Sequence, residues 1–174
     1  MSVCVWFTGL SGAGKTTIAR QVAYALERNN HQVEILDGDI FRKGLCQDLG
    51  FSREDRFENI KRAAYVANML TKHNIIVLAS FITPYQEMRD YLRKNVTDYM
   101  EVYVQAPLSL LIKKDHKGLY KRALNGEITN FTGIDDPFEE PENPDVVLHT
   151  DRYSVVFCVS VVEDKIKKRL AGIV

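Results

Sequence analysis

The sequence has no surplus of charge: 23 lysines and arginines stand against 23 aspartates and glutamates in 174 residues. No global field is therefore available to recruit nucleic acid or an anionic membrane surface, which leaves only a local basic site for a small anion. No apolar run reaches the ~18 residues that a membrane helix needs. Met1 leads directly into a strand-like segment, so neither a signal peptide nor a membrane anchor is expected. Cysteine is scarce, and Cys4, Cys46 and Cys158 are too widely spaced to form a metal-ligand set. Buried thiols in a reducing compartment are the expectation, and hence the cytoplasm. Internal repeats and linkers are also missing. What remains is ordinary globular material, 45% hydrophobic and 26% charged, long enough for one domain over residues 1–174 with a real core.

One stretch organises the chain: Gly9-Leu10-Ser11-Gly12-Ala13-Gly14-Lys15-Thr16. It follows the apolar run Val3–Phe7, which reads as a buried strand. It precedes a segment in which Ile18, Val22 and Leu26 recur at helical spacing. Strand, glycine-rich turn, Lys-Thr and helix match the phosphate-binding loop in the context that motif requires. Glycines let the backbone come close to a phosphate, and successive N–H groups then converge on the anion at the positive end of the helix. Gly9, Ser11, Gly12, Ala13, Gly14, Lys15, Thr16 and Thr17 are therefore expected to hold ATP. Lys15 is a mobile charge for the β- and γ-phosphates, and the Thr16 hydroxyl is placed to ligate Mg²⁺.

Apolar runs then alternate with helical patterns, the signature of an α/β fold with a mainly parallel five-stranded sheet flanked by helices. Val33–Leu36 is a second strand, ending in Asp37-Gly38-Asp39, and both aspartates are expected beyond its carboxyl end, facing the loop. Ser52 caps a helix with Asp55 three residues on. Ile60, Ala63, Ala64, Ala67 and Leu70 form its apolar stripe, with Arg56, Asn59 and Arg62 off the stripe. Ile75–Ala79 is an interior strand broken by Thr83-Pro84-Tyr85. Glu101–Val104 and Asp145–Leu148 complete the sheet, Pro107 opens a short helix, and Val161, Val162, Ile166 and Leu170 mark a last one.

Between Asp115 and Pro144 the apolar periodicity fades, and three glycines and three prolines punctuate the segment. Its length predicts a mobile lid rather than a plain connection. Leu119, Tyr120, Ile128 and Phe131 argue against disorder. Phe131 has little core to join there, whereas Phe51 taken alone is as well read as a core residue.

No guanine-reading Asn-Lys-x-Asp tetrad is present, and the chain is too short for the extra domains of a motor, so size favours a small-molecule kinase. Further segments sharpen this: Leu-Asp-Gly-Asp at 36–39 with Arg42, Asp-Leu-Gly-Phe-Ser at 48–52 and Asp-Arg-x-Glu-Asn-Ile at 55–60. Lys-Gly-Leu-Tyr at 117–120 and Asn-Phe-Thr-Gly-Ile-Asp at 130–135 complete the set. Together with the phosphate loop they resemble the adenylylsulfate kinases, from about Val5 to Thr150. The resemblance implies a P-loop kinase, often a homodimer, that transfers the γ-phosphoryl group of ATP to the 3′-hydroxyl of adenosine 5′-phosphosulfate.

It also implies roles. Phe51 and Phe131 sandwich the acceptor's adenine, Ile82 and Thr83 line its pocket, and Lys117 reaches it from the lid. Arg42 and Arg56 are forked donors suited to the phosphosulfate, and Asn59 adds a neutral hydrogen bond. Asp39 is the candidate to orient or deprotonate the acceptor hydroxyl, directly or through Mg²⁺-bound water. Asp37 is assigned to the strand end or the metal shell. The chain departs from the family in two places. Thr83 stands where the family has a serine associated with a phosphorylated intermediate, so direct in-line transfer is favoured. Lys114 stands where an arginine packs on ATP's adenine, and lysine cannot stack as a planar cation. Two rivals remain: a kinase of the same fold acting on another nucleotide-linked acceptor such as cytidine diphosphoramidate, and a non-catalytic nucleotide-binding regulator.

Overall fold

The unbroken apolar run near the N-terminus becomes β1 (Cys4–Thr8), buried along its whole length. A strand without a polar face has to be covered on both sides, and β1 is the middle strand of five. The computed structural model describes residues 1–173; Val174, the last residue of the expected single domain, lies outside the described residues. The other strands are β2 (Val33–Asp37), β3 (Ile76–Ser80), β4 (Tyr99–Gln105) and β5 (Val146–His149). Their order is β2-β3-β1-β4-β5, and every pairing is parallel. All five carboxyl ends therefore point to one edge.

Side chains alternate across β1 and seed two cores. Val5 and Phe7 join Ile18, Val22 and Leu26 of α1 (Lys15–Glu27) with Val162 and Ile166 of α7 (Val155–Leu170). Cys4 and Trp6 face the other way, toward Ile60, Ala63, Ala64 and Ala67 of α3 (Arg53–Thr71) and Met88 and Leu92 of α4 (Gln86–Asn95). Three alanines let α3 lie close on the sheet. Cys4, Cys46 and Cys158 are buried free thiols, as expected.

Ser52 caps α3 by accepting from the Asp55 N–H at 3.1 Å. The Asp55 carboxylate does not bond back to the cap. It accepts from Gly50 N–H at 2.9 Å instead and fixes the preceding loop. Arg56 and Asn59, read as off the apolar stripe and at the acceptor pocket, are both buried in the cavity wall. Their side of the first two turns of α3 faces the cavity and the segment around Asn130–Thr132 rather than water.

Three short elements escape the sequence reading: α2 (Gly38–Lys43), α4, and α6 (Leu119–Leu124) inside the expected lid. In α4 only Met88, Tyr91 and Leu92 are apolar, and the charged remainder hides the pattern. A short α5 (Leu108–Lys114) follows Pro107 as expected. The expectation that Phe131 has no core to join is overturned. Phe131 and Ile134 pack against the α1–α7 core, and Tyr120 and Thr132 are buried. The reason is a strap of polar contacts. Tyr85 Oη donates to both oxygens of Asp136 at 2.9 and 2.7 Å, Glu139 N–H donates to Pro84 O, and the buried Arg89 guanidinium donates to Thr83 O and Glu139 O.

Candidate active site

The turn after β1 ends in Gly14, whose φ of 108° is left-handed, and α1 begins at Lys15. Gly9 has φ 149°, and a Cβ there would lie 2.2 Å from Val104 O, so only glycine passes this close to β4. Lys15 is turned back on the loop: its Nζ donates to Gly9 O at 2.8 Å and Leu10 O at 2.9 Å. Burial pushes its amine down to about 7, helped by the like charge of Lys117 and opposed by Asp39 and Asp37. The loop is held from behind by Thr150, whose hydroxyl donates to Ala13 O at 2.8 Å.

Thr16 Oγ1 donates to Asp37 Oδ2 at 2.9 Å and lies 3.1 Å from Ser80 Oγ, which gathers two hydroxyls and a carboxylate at the strand ends. Asp37 does a second job as the cap of α2, where its other oxygen accepts from Asp39 N–H. Among the described residues no group of three or more His, Cys, Asp or Glu side chains could hold a metal by itself. Mg²⁺ does not need one, since it takes only one or two protein oxygens beside phosphates and water. Asp39 is not bonded to this set; it forms an exposed ion pair with Lys117 at 2.7 Å.

These residues surround a cavity of about 350 Å³, at the small end for a ligand site. Its walls bring together most of the residues singled out in the sequence: Ser11, Gly12, Gly14, Lys15, Thr16 and Thr17 on one side, with Lys114 and Lys117 above. Asp37, Asp39, Arg42, Phe51, Arg56, Asn59, Ile82 and Thr83 lie on the other. Gly9, Ala13 and Phe131 are not in the wall. The first two shape the loop from behind. Phe131 stands edge-on to Tyr120, with ring centroids 5.1 Å apart and planes at 85°.

The two arginines hold loops as well as lining the cavity. Arg42 donates to Leu49 O and Gly50 O and lies 4.5 Å over the Phe51 ring, which is 57% exposed and so no core residue. Arg56 donates to Phe51 O, Thr132 Oγ1 and Asn130 O. Asn59 differs from both: it is buried, and among the described residues its Oδ1 has no hydrogen-bond partner. A buried acceptor without a donor is rare enough to point to a ligand. Thr83 is buried at φ 50°, and its hydroxyl accepts from Trp6 Nε1 at 2.8 Å and donates to Phe81 O at 3.3 Å.

Sequence reasoning missed Ser80, Trp6, Tyr120 and Thr150. The rule that polar residues at strand carboxyl ends face the ligand would have found Ser80 and Thr150.

The chain matches the adenylylsulphate kinase family over residues 1–149. It is 51% identical to an adenylyl-sulfate kinase of Halothermothrix orenii over 96% of this chain and 90% of the relative. With an adenylyl-sulfate kinase of Chloroflexus aurantiacus it shares 55% identity over 89% and 83% of the two chains. Its fold superposes on the Mycobacterium tuberculosis APS kinase in complex with AMPPNP and APS with a TM-score of 0.90, at 42% identity and covering 94% and 96% of the chains. The loop, Asp37 at the end of β2 with Asp39 just beyond it, and these likenesses agree, and the chain belongs to the adenylylsulphate kinase family.

Proposed function

We propose that the protein transfers the γ-phosphoryl group of ATP to the 3′-hydroxyl of adenosine 5′-phosphosulfate, giving 3′-phosphoadenosine 5′-phosphosulfate and ADP. The observation that carries the acceptor side is the unpartnered Asn59 Oδ1 in the cavity wall. It asks for a donor, and the acceptor's donors are its adenine amino group and ribose hydroxyls. Phe51 supplies an exposed ring for one face of the adenine, and the Phe131 side chain turns to the other from a backbone that stays strapped.

Phosphoryl transfer depends on alignment and charge neutralisation more than on covalent help from the protein. Lys15 leaves the loop carbonyls for the β- and γ-phosphates, and Ser11, Gly12, Ala13, Gly14 and Thr17 hold them. The hydroxyl and carboxylate of Thr16 and Asp37 fit Mg²⁺, which would neutralise charge on the phosphate oxygens. Asp39 releases Lys117 and accepts a hydrogen bond from the 3′-hydroxyl. The new bond joins that oxygen to the γ-phosphorus as the bond to the β-γ bridging oxygen breaks, and the hydroxyl proton passes to Asp39 or solvent. Lys117, Arg42 and Arg56 offset the charge of the phosphosulfate, Ile82 and Thr83 form its wall, and Lys114 lies along the ATP base. The cavity is small for two nucleotides, so the lid opens to admit them. One catalytic unit spans the chain, working as a homodimer in the cytoplasm. No described helix is long and apolar enough to cross a membrane.

Release of ADP, measured over a panel containing adenosine 5′-phosphosulfate and cytidine diphosphoramidate, tests the reading. The product of the first should gain one phosphate by mass, and the second should release no ADP above background. ADP release with the cytidine compound alone, or with no acceptor at all, overturns it.

A further inference from the structure

Tyr120 belongs to the lid, yet among the described residues its hydroxyl bonds only to the phosphate loop: its Oη donates to Ser11 O at 2.7 Å. The ring is 2% exposed, and Phe131 lies edge-on against it at 5.1 Å. The backbone is equally fixed. Asp115 accepts from the N–H groups of Tyr120 and Lys121 at 3.0 and 2.9 Å, so the first turn of α6 is pinned at its start. One turn earlier Lys117 holds Asp39. Residues 117–120 therefore touch the acceptor side of the cavity with one side chain and the ATP loop with the other.

We infer that Tyr120 is a positioning residue: its hydroxyl, anchored on the Ser11 carbonyl, sets the distance between the phosphate loop and the Phe131 ring. The inference rests on the proposed function, in which Phe131 stacks on the acceptor's base. The bond is one-directional. Ser11 O can turn to water if it loses the donor, so the loop keeps its shape. Among the described residues the Tyr120 ring has no other polar tether, and the Phe131 side chain, which leans on it, loses its orientation once the hydroxyl is gone, while the Phe131 backbone stays strapped. Burial first, with Asp115 second, raises the phenol to about 12, so the hydroxyl stays a donor throughout the neutral range.

Tyr120→Phe deletes one oxygen and keeps the edge-on contact. It should raise the KM for adenosine 5′-phosphosulfate about five- to tenfold, the equivalent of one neutral hydrogen bond. The Kd for AMPPNP, read by calorimetry, should stay within about twofold, and the melting temperature close to wild type. Placed on a Phe131→Leu background, the same change should add less than about twofold, because residues acting through one contact are not additive. Equal losses on both backgrounds overturn the assignment, and so does an AMPPNP loss as large as the acceptor loss. Wild-type protein that makes no ADP with adenosine 5′-phosphosulfate would overturn the proposed function and this inference with it; normal wild-type turnover with additive losses overturns this inference alone.

Discussion

Trp6 and Thr83, on β1 and on the turn after β3, are joined by a buried hydrogen bond in which the indole nitrogen donates to the hydroxyl at 2.8 Å. That hydroxyl also donates to Phe81 O, so its donor and one of its acceptor positions are already engaged inside the protein. Thr83→Val should therefore keep most of the turnover while losing stability, by about 1–3 kcal/mol for the unpaired indole N–H. Label from γ-labelled ATP should not appear on the protein. Label that chases from Thr83 into product at a competent rate would restore a covalent step.

Lys15 carries the clearest pH dependence. Its amine is pushed down to about 7 from 10.5, so between those values the unfolded chain binds more protons and stability rises with pH through that window. Phosphates would restore the charge. Binding of AMPPNP at pH 8 should thus take up a substantial fraction of a proton, and at pH 6 almost none, as read from calorimetry in buffers of different ionisation heat. Lys15→Ala should fold, bind without proton uptake and lose turnover, because the amine serves developing charge rather than packing.

Asp39 sits at the cavity mouth in an ion pair that is largely exposed. Such a pair contributes little to stability, so Asp39→Asn should melt close to wild type. Its kcat should nevertheless fall at least ~10²-fold, the loss of a group that handles the acceptor's proton. A change of only a few-fold would remove Asp39 from the chemistry.

The lid should move in part only. Residues 130–139 are strapped by Tyr85, Arg89 and Arg56, whereas 116–129 carry Gly118 and Gly126 in left-handed conformations with open space around both. Hydrogen exchange should slow over 116–129 when AMPPNP and adenosine 5′-phosphosulfate are both added, and change little over 130–139. Equal slowing across the whole of 115–144 would show one rigid flap.

The sheet was legible because most strands are apolar runs and the first three end at or just before a chemically marked residue: Gly9, Asp37, Thr83. The quoted motifs, not helical periodicity, pointed Arg56 and Asn59 toward the cavity: periodicity alone assumes that a polar residue seeks water, and here a cavity takes its place. Phe131 was misjudged because its contacts come from residues far along the chain. Tyr85 and Arg89 bind a segment some fifty residues away, and no local pattern records that. Tyr120 lay inside a quoted motif, but a hydroxyl aimed at a backbone carbonyl 109 residues away leaves no trace in spacing.

The strand order has a consequence for how the protein comes into being. β1 pairs only with β3 and β4, Cys4 aligning with Val77 and Tyr99, and never with its neighbour in sequence. Contacts so distant along the chain fold slowly, and during synthesis they have to wait for their partners to emerge. The phosphate loop directly follows β1, so its residues are translated before β3 and β4 and have no frame to bend against until both strands have left the ribosome. A nascent chain arrested before β4 should thus present an apolar strand and a shapeless glycine loop to chaperones, and nucleotide should rescue only chains arrested later.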